Sequence, residues 1–142
     1  DPNNDDHILA GSYGGLFEKL AGQTTWQCIT DNPNGGLPAT GINTIAVDNN
    51  LNGNGQRTIY LGTGTSGSPE GASYGLGLVY SLNGGQTWTI DMDFLAVNNN
   101  KIPVAKVYYR PGTSDLIAIS GHKIFRKPTN GAWVAAFLLY PH

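Results

Sequence analysis

Three histidines, ten carboxylates, three arginines and one cysteine are the side chains through which acid–base, nucleophilic or metal chemistry would run in this sequence. His7 opens an apolar run, His122 sits in a Gly-rich turn and His142 is the last residue. None lies in a Gly-x-Ser-x-Gly elbow, so exposed or hydrogen-bonded histidines are expected in place of a nucleophile–His–acid set. Cys28 has no second cysteine for an internal disulfide or a zinc site, and its setting in Trp26-Gln-Cys-Ile-Thr30 suits a buried, inert thiol. Asp48, Asn50 and Asn52, followed by Gly53, match the first half of a calcium loop, with oxygens at positions 1, 3 and 5. Position 12 is Ile59, so the closing acid is missing. A plain Asx-rich turn is the leading expectation there, and calcium the alternative. No other cofactor or metal is expected.

The elements that would position these groups follow from composition. Charged residues make up 13% of the 142, while Gly (20) and Pro (8) are abundant. Coiled coils and helical bundles need Ala, Leu, Glu, Lys and Arg in bulk, so both are excluded. Hydrophobic content of 39%, with 10% aromatic, is too high for a disordered chain. A net charge of −2 offers no basic stripe to neutralise phosphates, so a nucleic-acid partner is not expected. The one cationic cluster, Lys123, Arg126 and Lys127, reads as a solvated strand face. No apolar run approaches the roughly 18 residues of a membrane span. Residues 1–10 have no signal-peptide pattern, which suits a cytosolic chain or a mature or internal piece of an exported one.

Internal repetition organises the rest. His7-Ile-Leu-Ala-Gly-Ser12, Thr58-Ile-Tyr-Leu-Gly-Thr63 and Leu116-Ile-Ala-Ile-Ser120 end alike. Each is followed by a second run: Gly15–Lys19, Gly77–Ser81 and His122–Arg126. Each second run leads to a tryptophan: Trp26, Trp88 and Trp133. Ile42–Val47 and Ile102–Tyr108 precede the second and third copies. Short runs rich in Ile, Val, Thr and Tyr between Gly and Asn are strands. Four strands, A to D, recurring about every 50 residues are the signature of propeller blades. The expected fold is all-β: about two and three-quarter four-stranded antiparallel blades of a larger, six- to eight-bladed β-propeller. Residues 1–41 form a partial blade (strands B to D), 42–101 a full blade and 102–142 a third. The chain is thus expected to be a fragment, its ends covered by the remaining blades of the same parent chain or by a neighbouring subunit.

Ser81-Leu-Asn83-Gly-Gly85-Gln-Thr87-Trp88 resembles the Asp-box, Ser-x-Asp-x-Gly-x-Thr-Trp, of sortilin-like and sialidase-like (BNR-repeat) propellers, with Asn83 in place of the aspartate. Gly22–Trp26 and Pro128–Trp133 look like decayed copies. The physics is local: the Ser81 and Asn83 side chains bond the turn's backbone, glycines allow its φ values, and Trp88 packs between sheets. The box therefore marks a fold, not a ligand site. The order of GINTIAVD, TIYLGTG, YGLGLVYSLNGGQTW and GHKIFRKPTNGAW further resembles secreted Bacteroidota propellers with type IX sorting tails.

That resemblance implies a secreted or cell-surface protein. The second B–C loop, residues 64–75, is about ten residues longer than its counterparts and carries one aromatic and one carboxylate, which suits a non-catalytic segment that binds glycan or protein. Binding would use the face carrying the B–C loops and D–A connections. Tyr13, Glu70, Tyr74, Asp93, Asn99 and His122 are its candidate ligand-binding residues, with Tyr13 and Tyr74 as platforms for sugar rings. The alternative is a piece of a xyloglucanase-like glycoside hydrolase whose carboxylates lie outside this segment. Glycoside hydrolysis needs two carboxylates about 5–10 Å apart. The stretch Ala10–Gly15, where such enzymes carry an aspartate, has no acid. Three arginines also fall short of a sialidase's carboxylate-binding cluster. No catalytic residue is assigned, and catalysis by this segment is not expected.

Overall fold

The computed structural model describes residues 1–33, 35–37, 41–64, 75–98 and 104–138. The fold is all-β, in three antiparallel sheets. Sheet 1 is β1 (Ile8–Ser12), β2 (Gly15–Lys19) and β3 (Gln27–Cys28). Sheet 2 is β4 (Ile42–Leu51), β5 (Arg57–Thr63), β6 (Leu78–Ser81) and β7 (Thr89–Ile90). The helix α1 (Met92–Val97) follows, and then sheet 3: β8 (Val104–Tyr109), β9 (Leu116–Ser120), β10 (Lys123–Lys127) and β11 (Val134–Leu138). In every sheet neighbours in sequence are neighbours in space, so each is a simple meander.

Alternation along the strands decides how the sheets stack. One face of sheet 2 (Ile59, Leu61, Val79, Trp88) closes on Leu9, Leu16 and Ile29 of sheet 1. The other face (Ala46, Tyr60, Leu78) closes on Val107, Leu116, Ala118 and Phe125 of sheet 3. Sheet 2 is therefore covered on both sides, which is why β5 is buried from Thr58 to Thr63 without a polar-out alternation.

The connections separate into two ends. At one end the β5–β6 and β9–β10 connections meet the segments that link one sheet to the next. There Gly64 N–H donates to the Gly41 carbonyl (3.1 Å), and the Asn98 amide donates to Ser120 Oγ (2.9 Å). At the other end the β4–β5, β6–β7 and β8–β9 turns meet: Asn52 Nδ2 donates to the Leu82 carbonyl (2.8 Å), and Asn50 Nδ2 to Ser114 Oγ (3.0 Å).

Two local features go beyond the sequence reading. No stretch of the sequence has apolar residues at helical spacing for three turns, and residues 92–97 form a helix shorter than that. Six residues with one buried side chain, Phe94, are too short to write a period, and the Asp91 side chain, accepting from Phe94 N–H, caps the turn instead. Residues 48–51 belong to a strand as well as to a turn. Asp48 Oδ1 accepts from Asn50 N–H, Arg57 binds the Asp48 and Asn49 carbonyls, and Leu51 still pairs with Arg57 across an irregularity.

Candidate functional site

The turn from β6 to β7 is built by its own side chains. Ser81 Oγ accepts from Gly85 N–H (2.8 Å) and donates to Asn83 Oδ1 (2.8 Å), which also accepts from Thr87 N–H (2.9 Å). Asn83 Nδ2 reaches Thr87 Oγ1 (2.8 Å). An asparagine thus serves both sides of the loop, donating where a carboxylate could only accept. Gly84 and Gly85 have φ of +70° and +95°, and a Cβ on Gly85 would lie 2.7 Å from Ile29 Cδ1. Only glycine fits there. Trp88 then donates its backbone N–H to the Gly35 carbonyl (2.9 Å) and its indole N–H to the Ile29 carbonyl (3.2 Å), tying sheet 2 to sheet 1.

Sheets 2 and 3 are tied in a corresponding way, with a carboxylate as the acceptor. Asp91 is 6% exposed. Its Oδ1 accepts from Phe94 N–H (3.0 Å), and its Oδ2 from the Trp133 indole (2.8 Å) and the Tyr60 hydroxyl (3.3 Å). Three donors offset the cost of burying the carboxylate. Burial, and then the Asp91 charge, push the Tyr60 hydroxyl far above the ordinary tyrosine range, so it stays a donor. Phe94 packs edge-to-face on Trp133 (5.0 Å) and Phe125 (5.2 Å). Sequence reading does not single out Asp91, Tyr60 or Trp133's role. The one signal is an aspartate three residues ahead of an apolar residue, a helix-cap spacing.

Of the candidate ligand residues, Tyr13 and His122 occupy equivalent hairpin turns, β1–β2 and β9–β10. Tyr13 is 84% exposed and His122 is exposed. Asp93 is in the first turn of α1, where its Oδ2 accepts from Trp133 N–H (3.0 Å). That bond holds the next sheet. Glu70, Tyr74 and Asn99 lie outside the described residues, as does His142.

The calcium candidates are engaged within the protein. Asp48 Oδ1 accepts from Asn50 N–H and Ser114 Oγ, while Asn52 Oδ1 accepts from Asn54 and Gln56 N–H. Asn50 uses its amide as a donor to Ser114. Among the described residues, no group of three His, Cys, Asp or Glu side chains could hold a metal ion.

Other polar groups are likewise engaged. His7 lies between Asp1 (3.3 Å) and Glu18 (2.7 Å). Arg126 binds Asp115 (2.9 Å), whose other oxygen accepts from the Thr129 hydroxyl and N–H. The Arg126 bond, then those from Thr129, hold the Asp115 carboxyl down to about 2. Cys28 is free and half-buried, more open than expected, with its Sγ 3.6 Å from Thr30 Oγ1. A groove of about 390 Å³ is lined by Glu18, Cys28, Ile29, Asn32 and the Gly84–Gln86 turn, and Asn32 Nδ2 donates to the Gln86 carbonyl (3.0 Å). Among the described residues no helix is long and apolar enough to cross a membrane. No family model and no curated protein matches the chain.

Proposed function

We propose that this chain is a non-catalytic segment of a secreted or cell-surface β-propeller, its three sheets being successive blades, and that it binds glycan or protein through the end carrying the β1–β2, β5–β6 and β9–β10 connections. The observation that supports this most is Tyr13. Its ring is 84% exposed on a two-residue hairpin whose flanking Ser12 Oγ is bonded to Gly14 and Gly15. A rigidly mounted, uncovered aromatic is a surface on which a sugar ring or an apolar side chain stacks at small entropic cost. His122, on the equivalent turn of sheet 3, adds a hydrogen-bonding group to the same end. Glu70 and Tyr74, which lie between β5 and β6 in the sequence, are further candidates.

Glycan-array screening followed by calorimetry tests it. Tyr13→Ala should weaken the strongest ligand at least tenfold and change folding stability by less than about 0.5 kcal/mol, as for an exposed side chain. Tyr74→Ala should weaken the same ligand. Binding unchanged in both variants would reject this face.

A further inference from the structure

The repeat allows the joint between sheets 1 and 2 to be compared, position by position, with the joint between sheets 2 and 3. The cross-strand pair Gly11–Leu16 in sheet 1 matches Gly62–Leu78 in sheet 2. Two residues along, the pair Leu9–Glu18 therefore stands where sheet 2 has Tyr60–Tyr80. On the strands that face these pairs, Val47, opposite Ile59, stands where sheet 3 has Tyr109, opposite Leu116.

The two joints are filled differently at this position. Between sheets 2 and 3 three rings occupy it: Tyr60 stacks on Tyr80 at 5.3 Å and meets Tyr109 edge-on at 6.4 Å. Between sheets 1 and 2 each ring is replaced by a smaller side chain, and one of the three, Glu18, is a carboxylate. The groove of about 390 Å³ lies here, with Glu18 on one side and the Gly84–Gln86 turn on the other. Gly84 and Gly85 present backbone on that second wall.

The walls have complementary chemistry. The Glu18 side chain is 15% exposed, and its Oε1 is held by His7 Nε2 (2.7 Å), while Oε2 has no hydrogen bond among the described residues. Across the groove the Gly84 and Gln86 N–H groups donate to nothing among the described residues, and Gln86 adds an exposed amide. A ligand that spans the groove must donate to Glu18 and accept from the turn. A hydroxyl does both, whereas an ammonium only donates and an ionised carboxylate only accepts. The volume falls within the range of about 300–1,000 Å³ typical of small-molecule sites. A second cleft of about 130 Å³, also lined by Glu18, carries Gln23 and Gln27, whose amides again donate and accept.

We propose that this groove binds a neutral saccharide, with Glu18 Oε2 accepting from one sugar hydroxyl and the Gly84–Gln86 turn donating to a neighbouring one. His7 fixes the carboxylate for that contact, and Gln23 and Gln27 take the next residue of a longer saccharide. The groove lies at the end that carries the β6–β7 turn, away from Tyr13. It is a second site, and it stands or falls independently of binding at the Tyr13 end.

Titration of the 142-residue chain with maltotriose, cellotriose and mannotriose, followed through the amide resonances of Gly84, Gly85 and Gln86, tests it. Trilysine and triglycine serve as the cationic and peptide probes. At least one trisaccharide should shift those resonances saturably, and neither peptide should. Glu18→Gln, which keeps the side chain's shape, should raise the dissociation constant at least about tenfold, the scale of a lost hydrogen bond to a charged group. Glu18→Tyr should abolish binding with an unchanged circular dichroism spectrum, because it places at this joint the ring that Tyr80 supplies at the next. Tyr13→Ala should leave this titration unaltered, which separates the groove from the Tyr13 face. The proposal is overturned if no trisaccharide saturates these resonances, or if Glu18→Gln binds as the parent does. A response to trilysine or triglycine alone overturns it too, and gives the groove to a cation or a peptide.

Discussion

Removing the Asp91 carboxylate tests whether the joint between sheets 2 and 3 holds the fold. The side chain is 6% exposed and accepts from Phe94 N–H, the Trp133 indole and the Tyr60 hydroxyl. Asp91→Ala deletes a helix cap, a loss of about 1 kcal/mol. It also strands a buried indole N–H and a buried hydroxyl, at about 1–3 kcal/mol each, although the hydroxyl is able to rotate toward another acceptor. The expected total is about 3–5 kcal/mol. For a chain of this length that lowers the melting temperature by about 10–15 °C, at roughly 3 °C per kcal/mol. Asp91→Asn keeps one acceptor for Phe94 but turns an amide donor toward the indole donor, so it should cost about 1–3 kcal/mol. Urea denaturation followed by tryptophan fluorescence gives both numbers. Adding Trp133→Phe completes a double-mutant cycle, in which Asp91 and Trp133 should couple by about 0.5–3 kcal/mol. An Asp91→Ala variant within about 0.5 kcal/mol of the parent, or a coupling near zero, would refute the reasoning.

Two further outcomes follow from the same geometry. Asn83→Ala removes the acceptor for Thr87 N–H and the donor to Thr87 Oγ1, and should cost about 1–2 kcal/mol in thermal melts; Asn83→Asp should fall nearer the parent, because the acceptor side is kept. The Asp115 carboxyl is held down to about 2 by Arg126 and then Thr129, so its folded-state pKa lies below its unfolded value near 4. That contribution is therefore complete above about pH 4 and is lost as the pH falls toward 2. Melting temperatures measured from pH 5 to pH 2 should show a shallower acid limb for Asp115→Asn than for the parent, and identical limbs would contradict the assignment.

The strands were legible because each is a short alternating or apolar run closed by Gly or Asn, and these local signals agree with the packing. α1 was not legible, since six residues with Phe94 as the one buried side chain contain no period. The turn at 81–88 was legible down to its bonding, because Ser81, Asn83 and the two glycines act on backbone within a few residues. Asp93, a candidate ligand residue, accepts from Trp133 N–H, 40 residues away, a contact that no local pattern records.

The sequence by itself determined the all-β class, the strand order, the repeat and the turn chemistry, because those depend on neighbours along the chain. Which copies of the repeat are sealed was decided only by tertiary structure. Trp26, Trp88 and Trp133 occupy like positions in three similar segments, yet they are 46%, 8% and 2% exposed. The physical reason is that a tryptophan ahead of the last strand is buried by the sheet before it, and burial belongs to that pair of sheets, not to the residue.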